Sequence, residues 1–310
     1  MRALVTGASG FVGRYLCDAL RGEGAEVFAC GGPTDAAHGY MPIDLSDART
    51  IASALDAARP TVIFHLAAQT FVPEALRAPL ETYESNTIGT ARLAEAVRGY
   101  AGSRPRLVFT SSAEVYGARD RSEYPLRETL DLRPNNPYGA SKAAAEAMLL
   151  SESRSHGLDV VVTRAFNHIG PGQNQRFVVA SLAAQLARIA AGEGQPLLVG
   201  NLQAARDFLD VRDVVAAYVG LARDGESGEI YNVCSGAAMT IRDVLGELIR
   251  IARVPVEVRE DLARVRATDV PLSVGDPTKL KALTGWQPQI PLARSLRDVY
   301  EAARAAYVQA

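Results

Sequence analysis

Cysteine is scarce in this sequence of 310 residues, which contains only Cys17, Cys30 and Cys234. These residues are odd in number, far apart and never in a CxxC pair, so a disulfide framework is not expected. Reduced, buried thiols of a cytoplasmic protein fit better. Histidine is also rare, and its four copies show no paired spacing. We therefore predict no histidine-rich metal site and no bound metal.

Long apolar runs and an excess of charge are missing as well. The net charge is −2, so no strong field draws the protein toward nucleic acid or an anionic membrane. No apolar run approaches the roughly 20 residues that a membrane helix needs, and the start "MRALVTG" lacks the apolar core of a signal peptide. An anionic ligand would therefore be held by a few placed cations. We predict a cytoplasmic protein with neither nucleic acid nor membrane as partner.

The first half of the chain alternates strand-like and helix-like segments. The strand-like runs are apolar without alternation, which is typical of strands buried on both faces of a parallel sheet. This alternation predicts an α/β fold with a Rossmann, doubly wound parallel sheet. The strand-like runs are 2–6, 26–30, 61–67, 106–112 and 159–166, and the helix-like stretches between them include 47–58, 80–99 and 140–155.

The second half has shorter strands and frequent Pro and Gly, as in "GPGQ" and "VPLSVGDP". We predict a dinucleotide-binding domain over 1–166 and a smaller C-terminal α/β lobe over 167–310 that holds the substrate. The segment 200–235 is expected to return to the first domain, because "EIYNVCSG" resembles a strand of the large sheet.

A glycine-rich loop, "VTGASGFVG", follows the first strand and precedes the first helix. In that context Gly7 permits a tight turn, Gly10 lets the backbone approach a pyrophosphate, and Gly13 allows close packing of helix on strand. The pyrophosphate would rest at the helix N-terminus. The loop therefore predicts a dinucleotide site.

The end of the second strand bears on which dinucleotide is bound. It reads "FACGGPTD", where Gly31 and Gly32 offer no carboxylate for a ribose 2′-hydroxyl, and Asp35 is expected to lie too far along the chain. Arg14 adds positive charge just after the loop. The sequence therefore favours NADP(H), with NAD(H) as the alternative. Asp44 either meets the adenine edge or caps the helix that begins near residue 46.

A second signal is "NPYGASKAAAEAM", in which Tyr138 and Lys142 share one face of a predicted helix. A nearby ammonium favours the phenolate and lowers the pKa of a tyrosine, which can then exchange a proton with a carbinol oxygen. A surface lysine beside a helix-start tyrosine is the alternative by itself. The chain order of glycine loop, Ser112 at a strand end, Tyr138 and Lys142 makes catalysis the stronger interpretation.

These motifs, with "HLAAQ", "SSAEVYG" and "RDFLDVRDV", resemble the extended short-chain dehydrogenase/reductase family, in its nucleotide-sugar-modifying branch. The resemblance implies that Ser112 bonds the sugar O4, Tyr138 transfers the proton, and Lys142 also holds the nicotinamide ribose. The catalytic residues that it implies are Ser112, Tyr138, Lys142 and Glu114. The cofactor-binding residues that it implies are Gly7, Gly10, Phe11, Val12, Gly13, Arg14, Asp44, Leu45, Leu66, Ala67, Ala68, Tyr138 and Lys142.

The resemblance also predicts how a nucleotide sugar is held. Arg206 matches the family's diphosphate contact, and Asn167 would bond an adjacent phosphate oxygen. Arg206 has an alternative role as an ion-pair partner of a neighbouring aspartate. His168 is expected to be a packed, hydrogen-bonded histidine, with a substrate contact as the alternative. The full set of predicted substrate contacts is Ser112, Asn167, Phe177, Val178, Asn201, Arg206, Arg266 and Asp269.

Glu114 separates two reactions within the family. In members that dehydrate a hexose, its counterpart removes the C5 proton, and thymidine-nucleotide dehydratases have an acidic residue where this chain has Ala113. Glu114 is otherwise a loop carboxylate that accepts backbone hydrogen bonds.

"RAFNHIGPGQNQRFV" and "TGWQPQIPL" resemble the family's GDP-4-keto-6-deoxymannose reductases, while "VGDPTKL" is as similar to the dehydratases. The resemblance therefore implies NAD(P)H-dependent reduction of a GDP-linked 4-keto-6-deoxyhexose at C4, giving GDP-D-rhamnose or GDP-6-deoxy-D-talose. The alternatives are a GDP-mannose 4,6-dehydratase, another nucleotide-sugar epimerase and a non-catalytic dinucleotide sensor. A homodimer through the helices near 80–99 and 140–155 is expected.

Overall fold

The computed structural model describes residues 1–193, 196–264 and 270–308. The strands are β1 (Arg2–Thr6), β2 (Glu26–Gly31), β3 (Met41–Pro42), β4 (Val62–His65), β5 (Arg106–Ser112), β6 (Val160–Ala165), β7 (Asn167–Ile169), β8 (Leu197–Val199), β9 (Ala205–Asp210), β10 (Ile230–Val233), β11 (Ala238–Thr240), β12 (Val258–Glu260) and β13 (Leu272–Ser273).

The α-helices are α1 (Phe11–Gly22), α2 (Ala48–Ala58), α3 (Val72–Arg77), α4 (Pro79–Tyr83), α5 (Gly89–Arg98), α6 (Pro137–His156), α7 (Val178–Ala190), α8 (Val211–Asp224), α9 (Ile241–Ala252), α10 (Thr278–Thr284) and α11 (Leu292–Val308). Short 3-10 turns cover Pro33–His38, Ala113–Val115, Arg121–Glu123 and Leu262–Arg264, and a π-helical turn covers Glu84–Ile88. Of the described residues, none form a helix that is both long and apolar enough to span a membrane.

Seven parallel strands form the large sheet in the order β10-β6-β5-β4-β1-β2-β3. The central strands are buried along their length, and β4 and β6 have no exposed residue. Helices cover both faces, which explains why these strands are apolar at every position instead of at alternate ones. The predicted α/β, doubly wound fold is confirmed.

The smaller lobe has its own core, built from α7, α9 and α11 around apolar side chains such as Leu186, Val244 and Tyr300. Its sheet pairs β9 with β7, β11 and β13. Strand β10 lies at the edge of the large sheet, and α8 packs against α1 on one face of that sheet. Of the segment 200–235, β10 and α8 therefore pair with or pack on the large sheet, whereas β9 pairs with strands of the smaller sheet.

The stretch 80–99 is divided into α4, the π-helical turn and α5 instead of forming one regular helix. Asn86 is buried in the π-helical turn. Its Oδ1 accepts from the amide of Gln69 at 2.8 Å, and its Nδ2 donates to the carbonyl oxygen of Gln69 at 2.9 Å. It also donates to the hydroxyl of Ser141 on α6 at 3.0 Å. The turn therefore ties the loop after β4 to the start of α6.

Candidate active site

A cleft of about 870 Å³ lies between the two lobes, at the carboxyl ends of the large sheet's strands. This is where open α/β sheets bind their ligands, and the volume suits a small-molecule site. Most of the predicted site residues line it. They are Gly7, Gly10, Phe11, Val12, Gly13, Leu66, Ala67, Ala68, Ser112, Glu114, Tyr138, Lys142, Asn167, Phe177, Val178, Asn201 and Arg206.

The glycine loop fits a pyrophosphate by its geometry. Gly7 has φ = +70°, and a Cβ there would lie 2.8 Å from the amide nitrogen of Ala67. A Cβ at Gly13 would lie 2.3 Å from the carbonyl oxygen of Gly7, so only glycine lets α1 start this close to the loop. Gly10 caps α1 without a side-chain hydrogen bond, which leaves the first amides of the helix for an anionic ligand.

A buried histidine connects the strand ends beneath this loop. His65 at the end of β4 bonds Thr6 through Nδ1 at 2.7 Å and Thr90 through Nε2 at 2.9 Å. The hydroxyl of Thr6 in turn accepts from the amide of Ala67 at 3.3 Å. Burial lowers the pKa of His65 to about 3, with Lys142 adding to the effect, so the imidazole is neutral. The arrangement fixes the ends of β1 and β4 together.

Tyr138 stands in the first turn of α6, which begins at Pro137 after the N-cap Asn136. Its phenol is buried and faces the side chain of Ser112, at the end of β5. Burial raises the pKa of Tyr138 to about 12, the nearby Ser112 opposes that rise, and the charge of Glu114 adds to it. At neutral pH the phenol therefore carries its proton.

Lys142 lies one turn further along α6 and is also buried. Its Nζ donates to the carbonyl oxygen of Thr110 at 2.8 Å and lies 4.9 Å from the ring centroid of Phe109. Burial lowers the pKa of Lys142 to about 7, against an opposing effect of Glu146. The expectation that the ammonium lowers the pKa of Tyr138 is not met in this structure, because burial penalises both charged forms.

Glu114 has a side-chain partner, not the backbone donors expected of a loop carboxylate. Its Oε2 accepts from Nδ2 of Asn136 at 2.7 Å, while Oδ1 of Asn136 accepts from the amide of Gly139 at 2.9 Å. Asn136 therefore caps α6 and holds Glu114 beside Tyr138. Sequence reasoning missed Asn136, although an asparagine before a proline-started helix is a recognised cap signal.

In the smaller lobe, Arg206 lines the cleft and donates to the carbonyl of Ala205 at 2.9 Å. The neighbouring carboxylates are engaged elsewhere. Asp207 accepts from Ser235 and from backbone amides, and Asp210 bonds Arg212. The predicted contacts Arg266 and Asp269 lie outside the described residues.

His168 is packed as expected. Its ring stacks on Phe11 at a centroid distance of 6.2 Å, and its Nδ1 lies 3.0 Å from the carbonyl oxygen of Phe166. Burial lowers the pKa of His168, so it is neutral in the cleft wall.

Three predicted cofactor contacts are not among the residues that line the cleft. Arg14 extends toward the smaller lobe, where it donates to the carbonyl of Gly172 at 3.4 Å. Asp44 accepts from the amide and hydroxyl of Ser46 in a turn ahead of α2, which Asp47 caps. Leu45 packs against α5 at Gly89. The guanidinium of Arg14 is therefore bonded to the smaller lobe and not to the end of β2.

Asp35 lies closer to the glycine loop than its position in the sequence predicts. From sequence order it was expected to lie too far beyond the end of β2 to reach a ribose there. The 3-10 turn Pro33–His38 folds it back, so that its carboxylate accepts from the amide of Gly32 at 2.9 Å and from the hydroxyl of Ser9 at 2.7 Å. Ser9 belongs to the glycine loop and lines the cleft. Over residues 1–193, 196–264 and 270–308, no group of three or more His, Cys, Asp or Glu side chains is placed to hold a metal.

Comparison with known proteins agrees with this geometry. A relative from Pseudomonas aeruginosa, named GDP-6-deoxy-D-mannose reductase, is 40% identical over 301 residues, covering 96% of this chain and 95% of the relative. A GDP-6-deoxy-D-talose 4-dehydrogenase from Aggregatibacter actinomycetemcomitans is 31% identical and covers 92% of each chain. The solved structure of RMD from Pseudomonas aeruginosa complexed with NADPH has a TM-score of 0.88 at 36% identity, covering 99% of this chain and 100% of that one.

The sequence profile of the family described as GDP-mannose 4,6 dehydratase matches residues 4–299, nearly the whole chain. The resemblance to nucleotide-sugar-modifying short-chain dehydrogenase/reductases is confirmed. The chain therefore belongs to the GDP-mannose 4,6-dehydratase family, within the extended short-chain dehydrogenases/reductases.

Proposed function

We propose that this protein reduces the C4 ketone of GDP-4-keto-6-deoxy-D-mannose, yielding GDP-D-rhamnose or GDP-6-deoxy-D-talose. The observation that carries the proposal is that a buried, protonated Tyr138 lines the same cleft as Ser112, Lys142 and a glycine loop fitted to a dinucleotide. The names of the two relatives supply the GDP-linked 6-deoxyhexose. The glycine loop, Tyr138 and Lys142 would hold the nicotinamide dinucleotide, whose reduced form supplies the hydride when bound.

In this mechanism Tyr138 gives its proton to the C4 oxygen as the carbonyl becomes an alcohol. Ser112 would orient that oxygen, since its hydroxyl lines the cleft beside the phenol. Lys142 in its protonated form offsets the charge left on the phenolate, one helical turn away. The reaction consumes one hydride and one proton, and the proton returns to Tyr138 from solvent.

The smaller lobe would hold the GDP portion. Arg206 is the cation that faces the cleft from β9, and a guanidinium suits a diphosphate because of its fixed fork of donors. Asn167 and Asn201 offer amides along the same wall, and Phe177 and Val178 offer an apolar surface at the start of α7.

A GDP-mannose 4,6-dehydratase is the second candidate, because Glu114 lies in the cleft and is held by Asn136 beside Tyr138. A dehydratase needs a base for the C5 proton, whereas ketone reduction does not. The neighbouring Ala113 can neither donate nor accept a proton through its side chain.

The direct test supplies the purified protein with GDP-4-keto-6-deoxy-D-mannose and follows nicotinamide absorbance. Tyr138→Phe is expected to lower kcat by about a hundredfold or more, the scale of general acid catalysis. Glu114→Gln is expected to change it by only a few-fold. Equal losses in the two variants would refute the reductase assignment. Formation of a 4-keto product from GDP-mannose by the wild-type protein would instead support the dehydratase.

We also propose a cytoplasmic homodimer that pairs through α4, α5 and α6. In support, Leu80 is 80% exposed and Ile88 is 42% exposed on this segment, and the three cysteines are buried and unpaired. Light scattering is expected to give a dimer for the wild type and a monomer for Leu80→Asp. A wild-type monomer would contradict this assembly.

A further inference from the structure

A carboxylate at the end of β2 bonds Ser9 of the glycine loop, which lines the cleft. Asp35 comes after the strand has ended, and the turn Pro33–His38 brings its side chain back over the strand. Both of its hydrogen bonds, from Gly32 and Ser9, reach Oδ2, so Oδ1 is the oxygen that would accept from a ligand hydroxyl. One carboxylate therefore joins the end of β2 to the loop that would cradle the pyrophosphate.

Gly31 creates the space for this arrangement. A Cβ at Gly31 would lie 2.6 Å from Cβ and 2.7 Å from Oδ2 of Asp35, closer than real side chains approach. Gly31, which supplies no acid of its own to this strand end, therefore allows the acid to come back from further along the chain.

The charge of Asp35 is not neutralised by its partners. A backbone amide and a hydroxyl are both neutral donors. Arg14, which follows the glycine loop, donates instead to the carbonyl of Gly172 in the smaller lobe. The end of β2 is therefore an environment for a hydroxyl donor and not for a second anion.

We infer that Asp35 selects NADH over NADPH, an inference that rests on the dinucleotide site of the proposed function. In Rossmann folds the adenosine ribose lies at the end of the second strand, where a carboxylate accepts from the 2′-hydroxyl. The same carboxylate repels a 2′-phosphate, so preference comes from attraction to one ligand and rejection of the other. This reverses the preference that the sequence favours. It also distinguishes the chain from its relative that was solved with NADPH.

Titration of the full-length protein with NADH and NADPH, followed by nicotinamide fluorescence or calorimetry, measures the two dissociation constants without any sugar. The wild type is expected to bind NADH at least about tenfold more tightly than NADPH. Asp35→Asn keeps the shape of the side chain and removes its charge, so NADPH is expected to gain most of that factor. Wild-type binding of NADPH as tight as that of NADH would overturn the inference.

Gly31→Ala provides an independent variant, because its Cβ would displace Asp35 without removing the charge. Its ratio of dissociation constants is expected to move in the same direction as that of Asp35→Asn. Asp18→Asn is the matched control, since it removes a charge from the exposed face of α1, where Asp18 pairs with Arg21. An unchanged ratio in both Asp35→Asn and Gly31→Ala would also overturn the inference.

The binding assay separates this inference from the reductase assignment. Tight, selective NADH binding with no turnover of the keto sugar would support the role of Asp35 and contradict the proposed substrate. Turnover of the keto sugar by a protein that binds NADPH more tightly than NADH would support the reductase assignment and contradict the role of Asp35.

Discussion

Two buried charges lie one turn apart on α6, and their surroundings are opposite. Glu146 accepts from Arg164 at 2.8 Å and also from the hydroxyl of Ser111, so it is paired. Lys142 donates to the neutral carbonyl of Thr110, and burial lowers its pKa. A paired buried charge joins elements of the fold, whereas one held by neutral groups is costly and indicates chemistry.

The pair at Glu146 belongs to a wider buried network. Arg164 on β6 also donates to the hydroxyl of Tyr116 at 3.0 Å, and that hydroxyl donates to Asn232 on β10 at 2.7 Å. Burial raises the pKa of Tyr116 to about 12, so the phenol stays neutral within the network. The network therefore connects α6, β6 and β10 behind the active-site cleft.

The largest expected effect comes from breaking the paired charge. Glu146→Gln leaves the guanidinium of Arg164 buried without a counter-charge, which costs about 3–5 kcal/mol of unfolding free energy. Urea denaturation measures this loss. Glu247→Gln is the control, because the exposed pair with Arg250 contributes at most about 1 kcal/mol. Similar losses of unfolding free energy in Glu146→Gln and Glu247→Gln would contradict the view that the buried pair stabilises the fold more than the exposed one.

Removing the other charge is expected to act on catalysis and not on stability. Lys142→Met should lower kcat/KM for ketone reduction by about a hundredfold or more, because the phenolate loses its neighbouring cation. The free energy of unfolding near pH 7 should not fall, since an apolar side chain avoids the cost of burying an ammonium. If Lys142→Met unfolded readily while its folded fraction stayed active, Lys142 would be a stabilising residue and not a catalytic one.

The pH dependence of the wild type sharpens this point. With a pKa of about 7, Lys142 is charged below neutrality and loses its proton as the pH rises. The pKa of about 12 at Tyr138 keeps the phenol protonated over that range. We expect kcat/KM for the dinucleotide, which reports the cofactor-free protein, to fall roughly tenfold per unit above pH 7. Lys142→Met should show no such fall, and a flat wild-type profile from pH 6 to 9 would exclude this titration.

The smallest effect is expected at the cap of the same helix. Asn136→Ala removes both the cap of α6 and the donor to Glu114, and should cost about 1 kcal/mol of unfolding free energy. Asn136→Ser keeps a capping oxygen but not the amide, so it should recover most of that stability. Thermal unfolding of the two variants gives the comparison, and equal destabilisation by both would mean that the cap contributes little.

Most of the fold could be predicted from the sequence, because its signals are local. Unbroken apolar runs indicate strands buried on both faces, and the glycine loop stands between a strand and a helix, as its chemistry requires. The helix-like stretch predicted over 80–99 is helical, but the sequence did not indicate the π-helical turn within it, where Asn86 bonds Gln69 and Ser141. Periodicity along the chain does not report such distant partners.

The candidate site was harder to predict than the fold. Spacing placed Tyr138 and Lys142 on one helix face, but their protonation depends on burial beneath strands distant in the chain. The directions of the Arg14 and Asp35 side chains were hard to predict for a related reason. The direction of a long side chain and the path of a turn are decided by packing between segments, not by distance along the sequence.

The sequence by itself determined the parallel sheet, the glycine loop after its first strand and the pairing of Tyr138 with Lys142 on one helix face, because hydrophobic period, glycine and helical spacing act over a few residues. Only the tertiary structure decided which buried charge is paired, how burial shifts the pKa values of Tyr138 and Lys142, and that Asp35 meets Ser9. Those properties depend on desolvation and on contacts between segments that only folding brings together.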